Sequence, residues 1–191
     1  MGEGEETGMK VISTEINDLF ILEPEVFGDD RGYFFESYNK MKLDPLIGNE
    51  YTFVQDNESK SSYGVVRGLH YQLAPFSQAK LVRVLQGKVY DVALDLRKNS
   101  STFGNWIGVE LSGENKIQFL IPKGFAHGFS VLSETAVFAY KCDEYYHPEA
   151  EAGIKYNDPS LNIDWKVKHE DITVSQKDRL LPKFEEAKIN F

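Results

Sequence analysis

Cysteine is almost absent. Cys142 is the only one in 191 residues, which excludes an internal disulfide and any cysteine-rich zinc site. It lies in the apolar stretch Ala136–Cys142, where a packed thiol is the simpler reading than a nucleophile. Long apolar runs are missing too. None approaches the ~18 residues of a membrane helix, and no charged segment followed by an apolar one opens the chain as a secretory signal would. The expected compartment is a reducing cytoplasm. Positive charge is in deficit. With 21 Lys and Arg against 30 Asp and Glu the formal net charge is −9. That argues against general binding to nucleic acid or to an anionic membrane, while a local basic pocket can still hold a phosphate ester. Internal repeats, low-complexity runs and long linkers are also lacking.

The length suits one domain with a sizeable core. Residues 1–8, MGEGEETG, carry no large apolar side chain after the first Met and are expected to be a tag remnant or loose tail, leaving 9–191 as the folding unit. Short β-branched and aromatic runs separated by Gly, Asn, Ser or Pro predict about ten strands. They are Leu19–Leu22, Gly32–Ser37, Thr52–Asn57, Val65–Gln72, Lys80–Gln86, Val89–Leu96, Trp106–Leu111, Gln118–Ile121, Gly128–Leu132 and Ala136–Cys142. Gln86-Gly87-Lys88 is predicted to be a hairpin turn, and Asp91, Ala93, Asp95 alternating with Val92, Leu94, Leu96 suggests a half-buried strand. Helices are expected only at about Asn39–Ile47 and from Ser175 to about Ala187, the latter broken at Pro182. This pattern predicts an all-β fold, a jelly-roll barrel or sandwich whose mouth is lined by inward polar groups.

There are four histidines. His147 and His169 lie in polar stretches and read as surface residues, whereas His70 and His127 sit among apolar neighbours. Taken singly, each of the latter two is what a hydrogen-bonded core histidine looks like. Together their surroundings resemble the cupin jelly-roll barrels. Gly64, His70 and Gly87 match the first cupin motif, and Pro122, Gly124 and His127 the second. Metal-binding cupins carry a second His and a Glu where this chain has Gln72 and Lys80, and a cation at a ligand position repels a metal. The resemblance therefore implies a cupin barrel without metal or cofactor.

Eight further motifs, in order, make the chain similar to the dTDP-4-dehydrorhamnose 3,5-epimerase family from about residue 9 to about 185. They begin at Phe27-Gly28-Asp29-Asp30-Arg31 and run through Glu36, Phe53–Ser59, Arg67–Gln72, Lys80–Arg83, Asp91–Arg97, Ile121–Phe129 and Tyr140-Lys141 to Ser175-Gln176-Lys177-Asp178. The implied substrate is a 4-keto sugar on a nucleoside diphosphate, with epimerisation at C-3 and C-5 on the way to a rhamnose donor for cell-surface polysaccharide. Such chemistry needs a base, an acid across the ring and a group that holds the enolate oxygen. The resemblance gives His70 as base with Asp178 behind it, Tyr140 as acid, and Lys80 as enolate stabiliser, with His127 and Asp91 as a second polar pair beside the ketone. It gives Phe27, Arg31, Glu36, Gln55, Asp56, Asn57, Arg67, Glu151 and Lys177 as further substrate contacts, and Tyr146 as the residue that stacks on thymine. By sequence alone Asp178 would be exposed near a helix start, Tyr140 a core tyrosine, Lys80 a solvated edge lysine and Tyr146 a surface tyrosine.

Strict alternation puts Arg67 and His70 on opposite faces of one strand, so either Gly68 marks a bulge or Arg67 lies outside the pocket. The resemblance also implies a homodimer in which early strands of one subunit join the partner's sheet, consistent with the apolar Tyr33-Phe34-Phe35 segment. Three other readings compete. A relative that epimerises only C-3 or only C-5 would use the same base and acid. A metal-dependent cupin oxygenase is opposed by Gln72 and Lys80. A non-catalytic sugar-binding cupin is opposed by His70, Lys80, Tyr140 and Asp178 occurring together.

Overall fold

Two antiparallel sheets face each other across an apolar core. The computed structural model describes residues 8–191. Of the expected tail, only Gly8 falls within them, and its carbonyl accepts a hydrogen bond from the Glu25 N–H; the rest lies outside the described residues. The first sheet comprises β1 (Met9–Ser13), β2 (Phe20–Pro24), β10 (Gln118–Ile121), β7 (Lys80–Gln86), β12 (Thr135–Cys142) and β5 (Gln55–Ser62), in that spatial order. The second comprises β13 (Glu151–Gly153), β6 (Val66–Gln72), β11 (Phe125–Val131), β8 (Lys88–Asp95) and β9 (Trp106–Ser112). A small hairpin, β3 (Phe27–Asp29) with β4 (Gly32–Phe34), stands apart from both. The jelly-roll class predicted from the strand pattern is therefore present, as two facing sheets rather than one continuously bonded barrel.

The inner faces meet through Val82, Val84, Phe119, Ile121, Ala136 and Phe138 from the first sheet, and Val89, Ala93, Leu111, Phe125, Phe129 and Val131 from the second. Phe138 stacks on Phe129 at 4.3 Å between centroids, joining the layers. Truncating a buried ring of this kind costs about 3–5 kcal/mol.

The structure departs from two sequence expectations. Gln86-Gly87-Lys88 is not a hairpin: β7 and β8 belong to different sheets, and the turn carries the chain from one layer to the other. Gly87 is needed there because φ is +78° and a Cβ would run into the Thr135 carbonyl. The strand at 89–96 is buried on both faces, since Asp91, Asp95, Val92, Leu94 and Leu96 are all fully buried. Its outer face is covered by the long C-terminal segment, whose Ile154, Leu161, Trp165 and Val174 pack on Val92, Leu94 and Leu96.

Helix α1 (Lys40–Ile47) lies where expected, capped by the Asn39 side chain and ended by Gly48 at φ +65°. Its Leu43 and Ile47 pack on Leu22, Leu81 and Leu120 of the first sheet. The C-terminal helix is much shorter than predicted. α2 spans only Gln176–Arg179, and a single 3-10 turn, Phe184–Glu186, follows Pro182. No helix among the described residues is long and apolar enough to cross a membrane.

Candidate active site

Five strands bring polar side chains to one end of the space between the sheets. From the second sheet come His70 (β6), His127 (β11) and Asp91 (β8); from the first come Lys80 (β7) and Tyr140 (β12). His127 and His70 are direct cross-strand partners.

His70 is held from behind. Its Nε2 lies 2.7 Å from Asp178 Oδ1, and the other carboxylate oxygen accepts from the Gly68 N–H at 3.2 Å. Burial pushes the Asp178 carboxyl up, but the hydrogen bonds from His70 and Gly68 outweigh it and hold the group below the ordinary carboxylate range. An ionised carboxylate can only accept, so Nε2 must carry the hydrogen, which leaves Nδ1 of neutral His70 with the lone pair. Asp178 is 3% exposed, not the surface residue that its position near a helix start suggests. The Ser175 hydroxyl accepts from the Asp178 N–H at 3.0 Å and turns the chain inward. Ser175-x-x-Asp178 is a capping signature, so this local turn was legible in principle.

The conflict between Arg67 and His70 resolves as a bulge. Along β11 two steps separate His127 from Phe129, while along β6 three separate their partners His70 and Arg67. The extra residue re-phases the strand at Gly68, whose φ is +121°. A Cβ at Gly68 would sit 2.6 Å from Gly128 Cα and 2.8 Å from the His127 carbonyl oxygen, so no other residue fits. Arg67 therefore reaches across the sheets, donating from Nε to Ser61 Oγ at 3.1 Å, and its charge favours the ionised form of Tyr140. Ser61 is a positioning partner that nothing in the sequence marked.

Across from His70, Lys80 places its Nζ 5.9 Å from the centroid of the Tyr140 ring. Desolvation pulls the Lys80 ammonium below its ordinary value, while Cys142, Asp91 and Glu151 pull it back up. Burial pushes the Tyr140 phenol up. Among the described residues neither the Tyr140 hydroxyl nor Lys80 Nζ has a hydrogen-bond or ion-pair partner in the protein, so both are free to meet a ligand. Beside them His127 Nε2 lies 3.0 and 2.9 Å from the two oxygens of Asp91. Burial drives Asp91 up and His127 down, and their mutual hydrogen bond opposes both shifts.

A second polar group adjoins the first. Glu151 Oε2 accepts from Lys177 Nζ at 2.6 Å and from the Tyr146 hydroxyl at 2.8 Å. Gln55 accepts from the Tyr146 N–H at 3.0 Å and donates to Asn57 at 3.0 Å. The structure thus gathers His70, Asp178, Tyr140, Lys80, His127, Arg67, Gln55, Asn57, Tyr146, Glu151 and Lys177.

Four expected contacts are placed elsewhere within the chain. Asp56 alternates to the outer face of β5 and pairs with Lys141 at 3.0 Å. Phe27 and Arg31 belong to the detached β3–β4 hairpin, where Arg31 closes on Asp29. Glu36 binds Asn39 and Lys42 at the start of α1, at 3.1 and 3.0 Å.

At the positions where metal cupins carry ligands, Gln72 spends its amide on backbone groups and Lys80 presents an ammonium. Among the described residues no group of three or more His, Cys, Asp or Glu could hold a metal ion.

The sequence profile of the dTDP-4-dehydrorhamnose 3,5-epimerases matches residues 13–186. The dTDP-4-dehydrorhamnose 3,5-epimerase of Shigella flexneri is 54% identical over 94% of this chain and 98% of its own. A crystal structure of dTDP-4-dehydrorhamnose 3,5-epimerase from Elizabethkingia anophelis superposes with a TM-score of 0.91 at 56% identity, covering 94% of this chain and 98% of that one. The Legionella pneumophila enzyme in complex with dTDP-4-keto-L-rhamnose gives 0.90 at 53% identity, covering 93% and 94%. The paired histidines, the free lysine and the free tyrosine lie within the matched span, and the chain belongs to the dTDP-4-dehydrorhamnose 3,5-epimerase family.

Proposed function

We propose that this protein epimerises C-3 and C-5 of dTDP-4-dehydro-6-deoxy-D-glucose to dTDP-4-dehydro-L-rhamnose, in dTDP-L-rhamnose biosynthesis, with no cofactor and in the cytoplasm. Residues 9–191 act as one catalytic unit. The observation that carries the reading is His70 on one sheet, backed by Asp178 of α2, opposite the free Tyr140 hydroxyl and Lys80 on the other. A sugar ring between the sheets meets a base on one face and an acid on the other.

The 4-keto group acidifies the flanking C–H bonds. His70 Nδ1 takes the proton, and the bonding pair passes into the ring to give an enolate. Asp178 stabilises the imidazolium that results. The enolate oxygen is met by Lys80 and by the His127–Asp91 pair. Tyr140 then gives its proton to the opposite face of the same carbon and the ketone re-forms. Both residues recover their starting states through solvent, so the reaction is redox-neutral. Burial keeps the phenol protonated until a carbanion is there to take its proton. At the other end Lys177 and Arg67 are the cations for the pyrophosphate, which a chain at −9 must supply locally. Tyr146 is the platform for the thymine base.

Incubation with the 4-keto sugar nucleotide, read by NMR, tests the assignment. Inversion at both carbons is expected, inversion at one makes the protein a single-centre epimerase, and an unchanged substrate contradicts catalysis.

The donor set points to metal independence. Gln72 and Lys80 stand at two ligand positions, and a cation there opposes a second one. Turnover should survive exhaustive chelation at full rate; loss of activity restored by stoichiometric zinc or iron would contradict this.

The protein is a homodimer in this reading. Phe27, Tyr33 and Phe34 are 56, 60 and 70% exposed on the detached β3–β4 hairpin, an apolar surface that a second copy would cover. The same arrangement would let Phe27 and Arg31, remote from their own site, serve the partner's. Light scattering at micromolar concentration should give twice the 21.8 kDa chain mass; a monodisperse monomer would sink the idea.

A further inference from the structure

Gln72 is buried, 4% exposed, and lies two residues beyond His70 on β6. Its amide is nearly saturated. Nε2 donates to the Phe76 carbonyl at 2.7 Å and to the Tyr145 carbonyl at 3.1 Å, and Oε1 accepts from the His147 N–H at 2.7 Å. The last two contacts flank Tyr146 on either side. Its backbone is also the cross-strand partner of Glu151, which receives the Tyr146 hydroxyl. His147, held at its N–H, stacks its ring on Phe76 at 3.9 Å, so the two loops that the amide grips also touch each other. One side chain thus fixes both shoulders of Tyr146 to the strand that carries the base.

We propose that Gln72 is a positioning residue: it locks the 145–147 turn to β6 so that the Tyr146 ring stays fixed for the nucleoside base at a set distance from His70. The proposal rests on the reading that Tyr146 is the base platform. A tyrosine on an exposed turn has several rotamers and a mobile backbone, and fixing both before the ligand arrives lowers the ordering cost of binding. Leu in place of Gln72 keeps the volume and removes all three bonds. Glu keeps the acceptor for the His147 N–H and loses both donors, so the Phe76 and Tyr145 carbonyls face a carboxylate.

The test is calorimetric titration of dTDP into the wild-type protein and into Gln72→Leu, Tyr146→Ala and the double variant, with steady-state kinetics on the 4-keto sugar nucleotide. In Gln72→Leu the Kd for dTDP should rise about tenfold, which is within the reach of one base stacked on one aromatic ring. KM should rise by the same factor, with kcat falling less than about threefold. Tyr146→Ala should weaken dTDP by a similar factor, and the double variant should be no weaker than Tyr146→Ala alone, because the clamp has nothing left to hold. Additive losses in the double variant, or a fall in kcat with unchanged Kd, would overturn the proposal in favour of a general structural role. If Tyr146→Ala weakens dTDP and Gln72→Leu does not, the clamp is wrong and the platform stands. If Tyr146→Ala leaves dTDP binding intact, the platform itself is wrong and the proposal falls with it. Should Gln72→Leu fail to fold, Gln72→Glu is used, with the same rise in Kd and KM expected; wild-type values for a folded Gln72→Glu would overturn the proposal.

Discussion

His70→Ala should lose between about 10² and 10⁴ of its turnover and, with it, the exchange of substrate protons with solvent. Without the imidazole no group in the pocket takes a proton from the ring. His127 cannot stand in, because it is buried and burial lowers its affinity for a proton. The fold should persist, since His70 is only half-buried and its loss frees Asp178 to be held by the Gly68 N–H and the Ser175 cap. The variant should therefore bind dTDP with an affinity near the wild-type value. The check is deuterium uptake at C-3 and C-5 in heavy water, and uptake near the normal rate would show that another residue is the base.

Tyr140→Phe should separate two steps that His70→Ala removes together. The base, Lys80 and the shape of the pocket stay, so the enolate still forms. It can be re-protonated only from the face where the proton left. The variant should take up deuterium without inverting the carbon, at one centre or both, with inversion down by about 10²–10⁴. Because the hydroxyl has no partner among the described residues, Phe strands no buried hydrogen-bonding group. The change in stability should stay below about 1 kcal/mol, in contrast to the ~1–3 kcal/mol that an orphaned buried partner would cost. Inversion at the wild-type rate would mean that water or another side chain is the acid. Loss of exchange along with inversion, in a folded variant, would mean that Tyr140 is needed to form the enolate.

Much of this site was legible before the fold. Short β-branched and aromatic runs separated by Gly, Asn, Ser or Pro locate most of the strands in the two sheets, because strand propensity and turn chemistry are local properties. Period-two alternation fails as a guide to burial at 89–96, where both faces are buried. What covers the outer face is a segment more than fifty residues later, Ile154, Leu161 and Trp165, with no regular periodicity of its own. The Gly87 turn departs from the expected hairpin for a related reason: a tight turn fixes the direction of the chain but not which sheet receives it. The misfit of Arg67 and His70 in the sequence points either to a bulge at Gly68 or to Arg67 outside the pocket, and the ladder of β6 with β11 has the bulge. Asp178 and Gln72 mark the limit. Their roles depend on partners 110 and 73 residues away, Gly68 and Tyr145, and no local pattern encodes such distances.

The central claim is that one site removes a proton beside a ketone and returns another to the opposite face, twice. It is tested most directly by running the reaction in heavy water with dTDP-4-keto-6-deoxyglucose and reading the recovered sugar nucleotide by NMR. The account predicts one deuteron at C-3 and one at C-5, each on a carbon of inverted configuration. Inversion at both carbons with protium retained would require transfer of the original hydrogen rather than exchange through His70 and Tyr140, and would contradict it.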